Sequence, residues 1–138
     1  MLATTRSPQS TPFARLLAES DFLVLAAPAT PETRGRFDAP AFRAMKPGAV
    51  LVNISRAALV DDGALLEALD SLRLAGAAVD VFSTEPPPAD HPLLHHPRLL
   101  VSPHVAWGAE DAVRRLLDLS IENVEAFLAG RPINLVEG

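Results

Sequence analysis

Four short apolar runs constrain this 138-residue chain most strongly: 22–27 (FLVLAA), 50–54 (VLVNI), 76–81 (GAAVDV) and 99–102 (LLVS). Their apolar residues follow one another without strict alternation, the pattern of strands covered on both faces. Between them lie stretches with helical spacing, and strands that alternate with helices imply a parallel sheet. An α/β fold is therefore expected, a parallel sheet with flanking helices on both faces. Sites in such sheets form beyond the carboxyl ends of the strands.

The helical stretches have recognisable starts and stops. Residues 13–20 (FARLLAES) place Phe13, Leu16 and Leu17 at helical spacing over one or two turns. Asp38-Ala39-Pro40 starts a second helix, because the Asp oxygen accepts the first free N–H groups and a proline there needs no donor. Ala41, Phe42 and Met45 give it an apolar stripe, and Lys46-Pro47-Gly48 ends it. Asp61-Asp62 caps a third helix, whose buried face reads Leu65, Leu66, Leu69 and Leu72. A long amphipathic helix spans 109–129, with Val113, Leu116, Leu117, Ile121, Val124 and Leu128 on one side and Gly130 and Pro132 ending it. The stiff segment 86–92 (PPPADHP) cannot join a central strand and is expected to run over the surface. Residues 1–12, small, polar and proline-containing, read as a mobile N-terminal arm, which leaves 13–138 as one domain.

Composition narrows the partners. The chain is 49% hydrophobic, ample for a core, and its net charge of -5 with no Lys/Arg block argues against nucleic acid or an anionic membrane. A small anionic substrate then requires a local cation. The absence of cysteine excludes disulfides and thiolate chemistry. No run is long enough to span a membrane and residues 1–10 lack a signal-peptide core, so a cytoplasmic location is expected.

Candidate chemistry stands just after the strands. Arg56 follows AVLVNIS, Glu85 follows the third run and His104 the fourth: a cation, a carboxylate and an imidazole on one sheet edge. Taken singly, Arg56 reads as a solvated loop cation, Glu85 as a turn carboxylate and His104 as a capping or core histidine. Asp80 is different, since it interrupts a strand that otherwise reads as buried. His91, His95 and His96 suggest a metal, yet no carboxylate spacing supports one, and a proline-rich surface loop accounts for them.

Together the motifs resemble those of a known family. Segments 16–21 (LLAESD) and 28–35 (PATPETRG), 45–56 (MKPGAVLVNISR), 78–86 (AVDVFSTEP) and 102–107 (SPHVAW) follow in fixed order over nearly the whole chain. In them the chain resembles the C-terminal part of the nucleotide-binding domain of D-isomer-specific 2-hydroxyacid dehydrogenases, most like the glycerate dehydrogenase or hydroxypyruvate/glyoxylate reductase branch. The resemblance implies an NAD- or NADP-dependent oxidoreductase that interconverts a small 2-hydroxy acid and a 2-keto acid. It makes Arg56, Glu85 and His104 catalytic, puts Asp80 on the nicotinamide side, and lines the dinucleotide with Ala27, Pro28, Thr33, Ile54 and Ser55. The chemistry fits these residue types: a group titrating near neutrality exchanges the proton, a carboxylate fixes its tautomer and favours the imidazolium, and a guanidinium grips the substrate carboxylate.

The departures are as specific as the matches. The sequence holds no G-x-G-x-x-G, the turn that seats a pyrophosphate on a helix N-terminus, and nothing that supplies a separate substrate domain. The expected architecture is thus a partial Rossmann-type domain lacking its first βαβ unit, truncated and nearly inactive alone. If 22–27 matches the family's third strand and 50–54 its fourth, the two strands usually between them are gone, and a collapsed four-stranded sheet is expected. Leu2-Ala3-Thr4-Thr5-Arg6 reads as the end of the missing second strand, its Thr/Arg ending without an acid leaning toward NADP. A homodimer or a complementing fragment is the expected macromolecular partner. The alternative is a non-catalytic binding or assembly module derived from the same family.

Overall fold

All four apolar runs are strands in the computed structural model, which describes residues 10–136. They are β1 (Phe22–Leu25), β2 (Ala49–Asn53), β3 (Leu74–Val79) and β4 (Leu99–Val101). The strands form one parallel sheet in the order β1-β2-β3-β4, so β1 lies directly against β2, as expected. The expected arm over residues 1–12 and the remnant strand at Leu2 to Arg6 fall largely or wholly outside the described residues.

Local sequence explains the helices. α1 is Phe13–Glu19, α2 is Ala39–Ala44 and α3 is Asp62–Asp70. Asp38 caps α2 by accepting from the Ala41 N–H at 2.9 Å, and Asp61 caps α3 by accepting from the Ala64 N–H at 2.8 Å. Two elements were not expected. A 3-10 turn, Ala57–Leu59, follows Arg56, and a short α4 (Pro92–His95) rises from the proline-rich segment with His91 Nδ1 accepting from the Leu93 N–H at 3.3 Å. Proline at the first helical position lacks only a donor the helix does not use there.

The core lies on one side of the sheet. Leu23, Leu25, Ala49, Leu51, Ala77 and Val79 point inward and pack with Leu16, Leu17, Phe42, Leu65 and Leu69 from α1, α2 and α3 and with Met45, which caps α2. The residues between them point the other way, and Phe22 and Leu100 are each 72% exposed. Helices on both faces were expected; within the unit ending at His104, the three longer helices all cover the same face. Leu72 is also a correction: it falls past the end of α3, with φ 60, and is exposed instead of joining the Leu65 and Leu69 stripe.

The chain divides into two compact units between His104 and Val105. The second contains α5 (Glu110–Leu128), none of whose residues is buried. Its end is as expected: Gly130 takes φ 70, and the Gly130 and Arg131 N–H groups close back onto the Phe127 and Ala126 carbonyls. Asn134 Nδ2 donates to Asn123 Oδ1 at 2.9 Å and ties the tail to this helix. Among the described residues, no helix is long and apolar enough to cross a membrane.

A one-sided core makes opposite faces of the sheet respond differently to substitution. Leu51, fully buried, is expected to lose about 2–5 kcal/mol of stability as Leu51→Ala. Val24→Thr, on the open face, is expected to change stability by less than about 0.5 kcal/mol. Urea unfolding midpoints check both, and equal losses would contradict the one-sided core.

Candidate active site at the carboxyl edge of the sheet

The register aligns Leu25, Asn53, Val79 and Val101 in a row across the sheet, and each is the last residue of its strand. The four segments after them therefore leave along one edge, where cross-ties lace them together. The Ser55 hydroxyl donates to the Ala27 carbonyl. The Asp80 N–H donates to the Asn53 carbonyl at 2.9 Å, and the Ser102 N–H donates to the Val79 carbonyl at 3.0 Å. The Ser102 hydroxyl donates to Asp80 Oδ1 at 2.5 Å.

Glu85 and His104 meet beyond β3 and β4. His104 Nδ1 lies 2.8 Å from Glu85 Oε2, while Glu85 Oε1 accepts from the Phe82 N–H at 2.9 Å. The second bond closes the 82–85 turn and aims the carboxylate at the ring. The hydrogen bond from His104, then that from the Phe82 backbone, holds the Glu85 carboxyl below the ordinary glutamate range, with burial opposing. His104 adopts φ 55, a left-handed conformation in which histidine is enriched among non-glycine residues.

Asp80 is only 2% exposed, so its carboxylate sits at the edge without facing bulk water. Asp80, Glu85, Ser102 and His104 border a cavity of about 400 Å³, with Phe82 and Leu94 among its apolar walls. The structure thus brings three of the residues expected to be functional to one space. Arg56 does not border that cavity. It is exposed on the same edge, and its Nη1 donates to the Ser55 carbonyl at 2.7 Å. Ala27, Pro28, Thr33, Ile54 and Ser55 form a separate group after β1 and β2. There the Thr33 hydroxyl donates to the Pro28 carbonyl at 2.7 Å, and Ile54 is 44% exposed.

The remaining histidines go to separate structural partners. His91 Nε2 lies 3.7 Å from Asp62 Oδ2, His95 Nε2 lies 2.7 Å from the Ala89 carbonyl, and His96 Nε2 lies 3.3 Å from Asp70 Oδ1. Burial pushes the Asp62 carboxyl up, with His91 pulling it down and Asp61 adding to the rise. Among the described residues, no group of three or more His, Cys, Asp or Glu is arranged to hold a metal ion.

Motif reading passes over two polar side chains at this edge. Ser102 was legible only as the polar stop of LLVS, and its bond to Asp80 depends on β3 and β4 being neighbours. Asn53 is 1% exposed; its Nδ2 donates to the Arg56 carbonyl at 3.0 Å and its Oδ1 accepts from the Ser55 N–H at 3.1 Å. The available signal was an amide closing an otherwise apolar strand.

A parallel α/β domain gathers a carboxylate, an imidazole and a buried aspartate at its carboxyl edge, and comparison with known proteins gives its family. Residues 3–106 match the D-isomer specific 2-hydroxyacid dehydrogenase, NAD binding domain, and the chain belongs to that family. Glycerate dehydrogenase of Methylorubrum extorquens is 43% identical over 88% of this chain and 40% of its own length. Hydroxypyruvate reductase of Blautia hydrogenotrophica is 39% identical over 88% of this chain and 38% of its own length. The chain therefore spans about 40% of the length of these relatives. The structure of a D-isomer specific 2-hydroxyacid dehydrogenase from Xanthobacter autotrophicus Py2, in complex with NADPH and MES, superposes with a TM-score of 0.82 at 34% identity, over 96% of this chain and 59% of that one.

The depressed value of Glu85 sets the pH dependence of the pair. A carboxyl whose folded-state pKa lies below its unfolded one adds stability above the ordinary glutamate value and loses it as pH falls through the depressed value. In a carbon-13 carboxyl titration, Glu85 is expected to inflect below the ordinary glutamate range and to return toward it in His104→Phe. An inflection unmoved by that substitution would contradict the pairing.

Proposed function

We propose that this chain carries the catalytic edge of an NAD- or NADP-dependent oxidoreductase that interconverts a small 2-hydroxy acid and its 2-keto acid, of the hydroxypyruvate or glyoxylate kind. The observation that carries the reading is the Glu85–His104 pair facing the same cavity as Asp80. The names of the relatives support the substrate class, and the NADPH complex of one neighbour supports the cofactor.

The donor set fits the nicotinamide end of such a cofactor. Asp80 is a buried acceptor for a carboxamide, already oriented by Ser102, and Ile54 offers an exposed apolar surface to a flat ring. No glycine-rich pyrophosphate turn exists in this sequence. When bound, the nicotinamide exchanges hydride with the substrate carbon. His104, its ring held at Nδ1 by Glu85, exchanges the matching proton with the substrate oxygen. Arg56 holds the substrate carboxylate with a charged planar fork. Its guanidinium leaves the Ser55 carbonyl to do so.

A cytoplasmic location and a complementing polypeptide or second copy belong to the same proposal. The apolar face bearing Phe22, Val24 and Leu100, exposed on a parallel sheet, favours cover by further polypeptide. That face also favours the second reading, a non-catalytic assembly module.

The test is reduction of hydroxypyruvate and glyoxylate with NADH or NADPH, by the 138-residue chain alone and supplied with the glycine-rich segment of a relative. Turnover is expected in the complemented mixture, and His104→Gln is expected to lower it by about 100-fold or more. Turnover insensitive to His104→Gln contradicts the assigned site. No turnover in either mixture, with no cofactor binding by titration, favours the assembly reading.

A further inference from the structure

Asn53 and Asp80 are the two polar residues in the buried class among the described residues. Asp80 has a proposed ligand, whereas Asn53 does not border the cavity beside Glu85 and His104. It ends β2 between Leu25 and Val79, where a leucine of similar size would extend the apolar face. An amide withdrawn from water at such a place is costly unless fully bonded. Both ends of this amide are used on the next three residues of the chain.

Nδ2 donates to the Arg56 carbonyl at 3.0 Å and Oδ1 accepts from the Ser55 N–H at 3.1 Å, so the side chain folds the strand end into a tight turn. The Arg56 carbonyl also accepts from the Leu59 N–H at 3.3 Å, at the start of the 3-10 turn. On the other side of Arg56, the Ser55 hydroxyl anchors to the Ala27 carbonyl. The Arg56 backbone is therefore held from both sides, while its side chain is exposed, with Nη1 donating to the Ser55 carbonyl at 2.7 Å. The Asn53 carbonyl meanwhile accepts from the Asp80 N–H at 2.9 Å, tying that root to the buried aspartate.

We propose that Asn53 is a positioning residue, which sets the origin of the Arg56 guanidinium relative to Asp80 and thereby tunes the grip on the substrate carboxylate. For the ligand of Arg56 this rests on the hydroxy-acid reading of the site. Asn53→Asp keeps the size and the acceptor for Ser55 but sets a second acceptor against the Arg56 carbonyl. Asn53→Leu removes both bonds while keeping the volume.

The experiment follows the Arg56 Nε–Hε signal of the nitrogen-15-labelled chain during titration with oxamate, an unreactive mimic of a 2-keto acid. Core methyl signals and the thermal midpoint establish that each variant is folded. The wild-type Arg56 signal is expected to move with oxamate, and folded Asn53→Asp to need roughly tenfold more oxamate for the same shift. Oxamate binding unchanged in folded Asn53→Asp and Asn53→Leu, with the Arg56 signal in its wild-type place, overturns the proposal. If the wild-type signal ignores oxamate, the hydroxy-acid reading fails, and amide exchange decides the role of Asn53. Asn53→Leu must then speed exchange at Ser55 and Leu59 selectively, and unchanged exchange at both overturns the proposal.

Discussion

The pairing of β2 with a parallel neighbour on each side is the constraint on which the rest depends. Both of its backbone edges are claimed, by β1 and by β3, and Ala49, Leu51 and Asn53 point into the core. A slip of one residue would turn those side chains to the open face and bring Val50 and Val52 inward. The same register places the last residues of all four strands in one row, so the segment after each strand emerges on one edge. The candidate site is thus a consequence of strand register before it is a consequence of any side chain.

At that edge, hydrogen bonds convert alignment into chemistry. Phe82 and His104 both bind the Glu85 carboxylate, which fixes the ring by Nδ1. Ser102 does the same for Asp80 from the neighbouring strand end. Arg56 is exposed on an anchored backbone.

Much of this was legible in the sequence because it is written locally. The apolar runs gave strands to within two residues, and Asp38 and Asp61 signalled their helices through their own capping bonds. The features that stayed hidden depend on contacts distant in sequence. Covering both sheet faces was a rule about complete parallel sheets, and exposed Phe22 and Leu100 break it here. Leu72 continued the helical spacing on paper, but the left-handed backbone at that residue ends the stripe. At the site, Glu85 and His104 announced themselves through motif order, whereas the bond between Asp80 and Ser102 spans 22 residues and needs the fold. The separation of Arg56 from the cavity could not be read from spacing at all.

The role proposed for His104 rests on Glu85 holding its ring by Nδ1. Long-range nitrogen-15 to proton correlation of the imidazole, recorded where the ring is neutral, tests it most directly. The predicted pattern has the proton on Nδ1 and an unprotonated Nε2. A neutral ring protonated on Nε2, with Nδ1 bare beside Glu85, would contradict that assignment.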